Sequence, residues 1–282
     1  MHFPTASLLI SILHLLPAVQ SCTTCQASNK LHRRSDDSHF DYSDLTGPVD
    51  WDQFSATCGT GKSQSPINII SSMDVSSRGD VAHYADIEDE GYDFNNTGHT
   101  VECYYAGEKA TLGGVEYELQ RFHFHTPSEH RLNNQWYPLE AHFVHAGVAD
   151  PNTIAVVGIF FDVKEELTDL LPESDPMIAR MSELLSDIQE TGDSVPATFV
   201  DLSGVRSAIT NAKKYTYVGS LTTPPCTEGI NWFVSETILT ISIAELNKFK
   251  SVMGWNARDL QSGIGKTNVV EYAQQYLSSS SK

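Results

Sequence analysis

Short apolar runs broken by turn signals follow one another from about residue 40 to 261 of this chain, the pattern of strands joined by turns. Short runs of this kind fall at residues 66–70, 100–105, 115–119 and 154–163. They are rich in Val, Ile, Tyr and Phe and are bounded by Gly, Asn or Asp, which predicts strands separated by turns. Three segments read as helix. The best is 176–190, where Asp175 caps, Pro176 suits the first turn, and Ile178, Met181, Leu185 and Ile188 form an apolar stripe. Residues 242–253 give a second helix and 205–211 a short third. No internal repeat or interdomain linker interrupts the pattern. The expected fold is α+β and β-dominated, a single domain with a few short surface helices.

Two strand-like runs carry chemistry. In Gln120-Arg121-Phe122-His123-Phe124-His125, the histidines project to one face and the phenylalanines to the other. His142 lies 17 residues beyond His125, in Leu139-Glu140-Ala141-His142-Phe143-Val144. If the two strands pair, three imidazoles converge. A single strand histidine is more often a hydrogen-bonded core or surface residue than a ligand. Three converging with an open fourth position match a catalytic zinc, whereas structural zinc is closed by four ligands, mostly cysteines. By parity Glu140 shares the face of His142 and can hold the imidazole N–H that metal binding leaves over. His145 falls on the opposite face and reads as structural.

The bulk properties narrow the setting. With 282 residues, 40% of them hydrophobic, the chain can bury one large core or two small ones. Residues 1–21 read as a signal peptide, with an apolar run at 8–16 and small residues near Val19-Gln20-Ser21, although Lys and Arg are missing before the run. That run is too short to span a bilayer, no second stretch of about 20 apolar residues follows, and the polar end at 278–282 gives no lipid-anchor signal. The expectation is a secreted, extracellular, soluble protein. Residues 22–34 end in Arg33-Arg34 and read either as a propeptide or as a polar linker, leaving 35–282 as the catalytic domain. Cleavage after Arg34 would remove three of 18 basic residues, leaving 15 against 36 acidic ones. So acidic a chain is unsuited to nucleic acid or anionic membranes. Of five cysteines, Cys58 and Cys226 sit in loop-like contexts and are expected to pair. Cys103, in a strand pattern, would be a buried free thiol or would pair with Cys25 if the leader is retained.

The motifs Phe122-His123-Phe124-His125, Ser128-Glu129-His130, Glu140-Ala141-His142-Phe143-Val144-His145 and Gly219-Ser220-Leu221-Thr222-Thr223-Pro224-Pro225-Cys226 occur in the order seen in alpha-class carbonic anhydrases. Gly47-Pro48 with Trp51, Gln64-Ser65-Pro66-Ile67, Gly98-His99, Ile230-Asn231-Trp232 and Asn256-Ala257-Arg258-Asp259-Leu260-Gln261 agree, so the resemblance runs from about residue 40 to 261. It implies a large twisted, mostly antiparallel central sheet and a Zn2+ held by His123, His125 and His142 at the bottom of a cone-shaped cleft. The zinc would lower the pKa of bound water to about 7, as is known of carbonic anhydrases. The hydroxide would convert carbon dioxide to bicarbonate and a proton, with ester hydrolysis as a side activity of the same site.

The resemblance also implies roles. Thr222 accepts the hydroxide's proton and passes its own to ionised Glu129, a directional pair because a hydroxyl has one donor. His99 resembles the proton shuttle, suited by its near-neutral titration, and Tyr42 resembles the tyrosine that orders the cleft water. Val144, Val156, Leu221, Ile230 and Trp232, with Thr222 and Thr223, match the substrate pocket. Two residues depart from the family. Arg121 stands where glutamine often supports the first histidine, and arginine cannot accept a hydrogen bond. Glu102 replaces an uncharged cleft residue and would raise the pKa of the bound water, unless the two form an ion pair. Asn95-Asn96-Thr97 is the one N-glycosylation sequon, placing a glycan on Asn95. Two other readings differ in class: a non-enzymatic binding relative, which would lack one or more of the histidines, and a non-haem iron enzyme taking Glu129 or Glu140 as a ligand.

Overall fold

Among the described residues there are thirteen strands. In chain order they are β1 (Asn68–Ile69), β2 (Val75–Ser76), β3 (Val81–Ala82), β4 (Tyr92–Asn96), β5 (Val101–Cys103), β6 (Lys109–Leu112), β7 (Val115–His125), β8 (Arg131–Leu132), β9 (Leu139–Gly147), β10 (Ile154–Val163), β11 (Ser194–Ala197), β12 (Lys214–Ser220) and β13 (Glu228–Ile241). The computed structural model describes residues 40–43, 46–73, 75–76, 80–89, 91–163 and 174–280. These belong to one compact unit, 39–282. The expected signal peptide, the 22–34 segment with Arg33-Arg34, Cys22 and Cys25 lie outside the described residues.

Eleven strands form one large sheet in the order β11-β4-β5-β7-β9-β10-β13-β12-β2, with β6 joining β3 to β7. The pair β10–β13 is parallel and the other ladders of this sheet are antiparallel. The expected mostly antiparallel sheet is therefore present. Of the expected strand at 66–70, only Asn68–Ile69 forms a ladder, a parallel pairing of β1 with β8 outside the main sheet.

The two faces of the sheet do different work. Phe122, Phe124 and Phe143 are fully buried in the main core with Met177, Ile178 and Met181, and with Phe249. Each such side chain contributes roughly 1.5–3 kcal/mol by leaving water. The histidine positions point the other way.

The helices are α1 (Ala56–Thr60), α2 (Pro176–Leu184), α3 (Ser203–Thr210), α4 (Ile243–Met253) and α5 (Val269–Ser280). Asp175 caps α2 by accepting a hydrogen bond from Met177 N at 3.1 Å. The α-helix ends at Leu184, and a 3-10 turn at Leu185–Asp187 continues it until Ile188 leaves helical geometry while staying buried. Ser242 and Glu245 form a reciprocal capping box on α4. The sequence pattern missed α1 and α5. On α5, Tyr272 and Tyr276 are largely exposed, so no apolar stripe marks it.

Cys58 and Cys226 form a disulfide that closes a sequence separation of 168 residues, and Cys103 is a buried free thiol. Replacing both bridged cysteines by serine is expected to lower the stability to urea unfolding by about 2–5 kcal/mol. An unchanged unfolding midpoint would show that the bridge does not constrain the unfolded chain.

Candidate metal centre

The ladder between β7 and β9 aligns His123 with His142 and His125 with Glu140. A bulge at Gln120 precedes this stretch, so Leu119 pairs with His145 but Arg121 pairs with Val144. The extra residue flips the face on which odd-numbered positions of β7 lie. Arg121, His123 and His125 thereby share the face of Glu140, His142 and Val144. The ring centroids of His123, His125 and His142 lie 4.6–5.3 Å apart. One ligand atom from each lies within 4.8 Å of the others. His145 is on the opposite face as expected, buried against Tyr84, and burial lowers its pKa to about 4.

Outer partners set the protonation of two of these rings. His125 Nδ1 donates to the Asn256 carbonyl at 2.7 Å, and Nε2 is left buried with no hydrogen-bond partner among the described residues. His142 Nε2 donates to Glu140 Oε1 at 2.9 Å, which in the neutral ring leaves Nδ1 with the lone pair, although the Glu140 charge outweighs burial and raises the pKa of this ring. Burial pushes His125 and, well below the usual range, His123 toward the neutral form. Neutral imidazoles with directed lone pairs are what a divalent metal requires.

Glu140 is fully buried and accepts four hydrogen bonds. Oε2 takes the backbone N–H of Glu129 at 2.8 Å and of His130 at 2.9 Å. Oε1 takes His130 Nδ1 at 2.8 Å as well as His142 Nε2. Burial alone would raise its pKa, but His130 and His142 outweigh that and hold it well below the carboxylate range. With both oxygens engaged, Glu140 is an outer partner and has no lone pair to offer a metal. Gly158 faces it across the sheet, and a Cβ there would come within 2.9 Å of Oε1. From His130 a chain of hydrogen bonds continues through Tyr217 at 2.7 Å to Ser65 at 2.8 Å. Ser65 and Ser220 then exchange two bonds of 2.9 and 3.0 Å. The network thus ends two residues before Thr222.

Glu129 is buried beside the trio, its Oε2 lying 3.5 Å from His125 Nε2 and 3.9 Å from His142 Nδ1. Oε1 accepts from Arg258 N at 3.0 Å. Oε2 has no hydrogen-bond partner among the described residues, so the expected bond from Thr222 is not formed. Thr222 is buried, and Leu221 and Thr223 are half-buried. Val144, Val156, Ile230 and Trp232 form one apolar cluster with Leu221. The ladders set Val144 beside Val156 and Val156 beside Trp232. The Trp232 ring also meets His142 at 4.9 Å.

The outlying residues are placed as follows. His99 follows β4 and stacks on Phe40 at 4.2 Å, and its carbonyl accepts from Asn256 Nδ2 at 3.0 Å. Burial and the nearby Glu129 charge push the Tyr42 hydroxyl pKa well up. Asn95 is half-buried on β4, paired with Glu102. Arg121 Nε meets Glu102 Oε2 at 2.7 Å, so the ion pair forms. Burial followed by the Glu102 charge pushes the Tyr104 hydroxyl pKa up to about 12. Asn256 and Arg258 are site residues that spacing alone did not identify. Their one signal was membership of the Asn256-Ala257-Arg258 motif. Arg258 is buried, which lowers its pKa to about 10, and it also donates to Ser65 O and Cys58 O.

A twisted sheet with three inward imidazoles, an ordered outer layer and an apolar wall defines a three-histidine sheet protein. The model of the eukaryotic-type carbonic anhydrase family matches residues 46–269. A carbonic anhydrase of Neisseria gonorrhoeae is 32% identical over 222 residues, covering 77% of this chain and 81% of that protein. A fungal alpha carbonic anhydrase from Aspergillus oryzae superposes with a TM-score of 0.76 at 34% identity, over 84% of this chain and 98% of the other. The alpha carbonic anhydrase of Thermovibrio ammonificans, solved with the inhibitor sulfanilamide, gives 0.68 at 34% identity over 79% and 95%. This chain belongs to the eukaryotic-type carbonic anhydrase family and is a carbonic anhydrase enzyme, its reaction the hydration of carbon dioxide.

Proposed function

We propose that this reaction, carbon dioxide and water to bicarbonate and a proton, takes place at a zinc ion held by His123, His125 and His142. When bound, zinc supplies a Lewis acid that makes hydroxide available from water near neutral pH. The observation that carries the reading is the fixed tautomer of His125 and His142, which directs one lone pair from each toward the same point. The engagement of both Glu140 oxygens speaks against a two-histidine, one-carboxylate iron site through that residue.

Glu129 and Thr222 orient the attacking oxygen. The unpartnered Glu129 Oε2 is a strong acceptor, and once the Thr222 hydroxyl donates to it, the threonine oxygen is free to accept a proton. His99 carries the product proton outward, with Tyr42 ordering water on the way. Val144, Val156, Leu221, Ile230 and Trp232 hold the small apolar substrate beside Thr222 and Thr223, and activated esters are side substrates. The Cys58–Cys226 disulfide fits an oxidising, extracellular setting, where Asn95 would carry its glycan. Among the described residues no helix is long and apolar enough to cross a membrane.

Stopped-flow carbon dioxide hydration across pH, with and without a chelator, tests the proposal. The expected result is a rate that rises through neutral pH, vanishes on chelation, returns with zinc and is blocked by sulfanilamide. A chelator-insensitive or pH-flat rate would overturn it, as would iron in the purified protein. Val156→Tyr is expected to abolish hydration while leaving zinc bound, because the added ring fills the space between Val144 and Trp232. Retained activity would move the substrate pocket elsewhere.

A further inference from the structure

Two of the three histidines have an outer acceptor for the ring N–H that points away from the common centre, and His123 stands apart. Its Nδ1 is buried without a hydrogen-bond partner among the described residues. Arg121, its neighbour on the same face of β7, offers only donors. The β5–β7 ladder, however, sets Glu102 directly across from His123, and Glu102 Oε2 lies 4.0 Å from Nδ1. That separation is about 1 Å longer than a hydrogen bond. The terminal torsion of a glutamate is soft, so a modest turn of the carboxylate closes it.

The carboxylate is held where such a turn is useful. Arg121 Nε bonds Oε2 from one side. The Glu102 side chain is only 11% exposed, so burial without Arg121 would be costly. Arg121 therefore neutralises a buried carboxylate that β5 delivers to the outer nitrogen of His123.

We propose that Glu102 is the positioning residue of His123, accepting the hydrogen bond from its Nδ1–H and aiming Nε2 at the metal, with Arg121 clamping the carboxylate. The ring of His125 is aimed by a backbone carbonyl and that of His142 by Glu140, so this completes the set. The proposal rests on the reading of the three histidines as zinc ligands.

The test is zinc affinity by competition with a chromophoric chelator, on the wild-type protein and on Glu102→Ala, Glu102→Gln and the double variant Glu102→Ala/Arg121→Gln. Losing an outer partner of a metal-bound histidine costs about 10–100-fold in affinity, and a loss in that range is expected for Glu102→Ala. Glu102→Gln keeps an acceptor oxygen and is expected to bind zinc nearly as the wild type does. The double variant is expected to recover, since a side-chain amide at 121 reaches the place where Arg121 now meets Glu102. Wild-type affinity in a folded Glu102→Ala would overturn the proposal, as would a Glu102→Gln as weak as the alanine variant. Should Glu102→Ala fail to fold, nitrogen-15 NMR of zinc-loaded wild-type protein decides. The His123 Nδ1 proton is expected to be hydrogen-bonded and slow to exchange, and a fast-exchanging proton sinks the idea. A wild-type protein that binds no zinc would refute the metal centre itself, whereas normal zinc binding with an inert Glu102 would refute only the positioning role.

Discussion

His125→Ala is expected to reduce carbon dioxide hydration to the uncatalysed background and to strip the protein of zinc on dialysis. Catalytic zinc sites use three protein ligands, and removing one leaves two imidazoles. His125 contributes a buried nitrogen whose direction is fixed by its 2.7 Å bond to Asn256 O, and no nearby side chain replaces it in the same geometry. Glu129 Oε2 is the nearest candidate at 3.5 Å, but its other oxygen is tied to Arg258 N. The fold should survive. Phe122, Phe124 and Phe143 lie on the opposite face of the sheet, and the structural cost is the unpaired Asn256 carbonyl, about 1–3 kcal/mol. Zinc analysis and stopped-flow rates on a variant with native circular dichroism check this. Stoichiometric zinc together with activity near the wild-type level would mean that the metal sits elsewhere.

Glu140→Ala is expected to weaken zinc binding by about 10–100-fold and also to destabilise the protein by about 4 kcal/mol or more, the sum of several buried donors losing their acceptor. The carboxylate satisfies Glu129 N, His130 N, His130 Nδ1 and His142 Nε2 at once. Removing it frees a ligand ring, the backbone that carries Glu129, and His130, whose Nε2 anchors Tyr217 and through it the Ser65–Ser220 pair. Glu140→Gln should do little better, because its amide would turn a donor toward donors. The pH dependence follows from the depressed pKa of Glu140. Stability from a carboxylate lowered in the folded state is fully present above its unfolded pKa and is lost as pH falls through the folded one. The variant should therefore differ most from wild type at neutral pH and least in strong acid. Urea unfolding and chelator competition measure both effects, and a wild-type midpoint with wild-type zinc affinity would refute the assignment.

Much of this was legible in the chain because strand geometry is local. Side chains two residues apart share a face, so His123 with His125, and Glu140 with His142 and Val144, could be grouped before any pairing was known. The capped helix at 176 and the Ser242 cap were readable for the same reason, since their signals lie within a few residues of one another. Helix α5 was not, because its outward tyrosines break the apolar stripe. The Thr222–Glu129 bond implied by the resemblance is not formed, since it depends on where a loop more than 90 residues away settles.

The sequence by itself determined the trio, its face, the carboxylate beside it and the disulfide partners. Only the tertiary structure decided which nitrogen of each ring points inward. That choice belongs to Asn256 for His125, more than a hundred residues along the chain, and to Glu140 for His142. Tertiary structure also turned two apparent departures, Arg121 and Glu102, into a 2.7 Å pair across neighbouring strands. The physical reason is range. Parity follows from bonded geometry and survives in the sequence, whereas a tautomer or a buried charge is set through space by whichever acceptor the fold delivers.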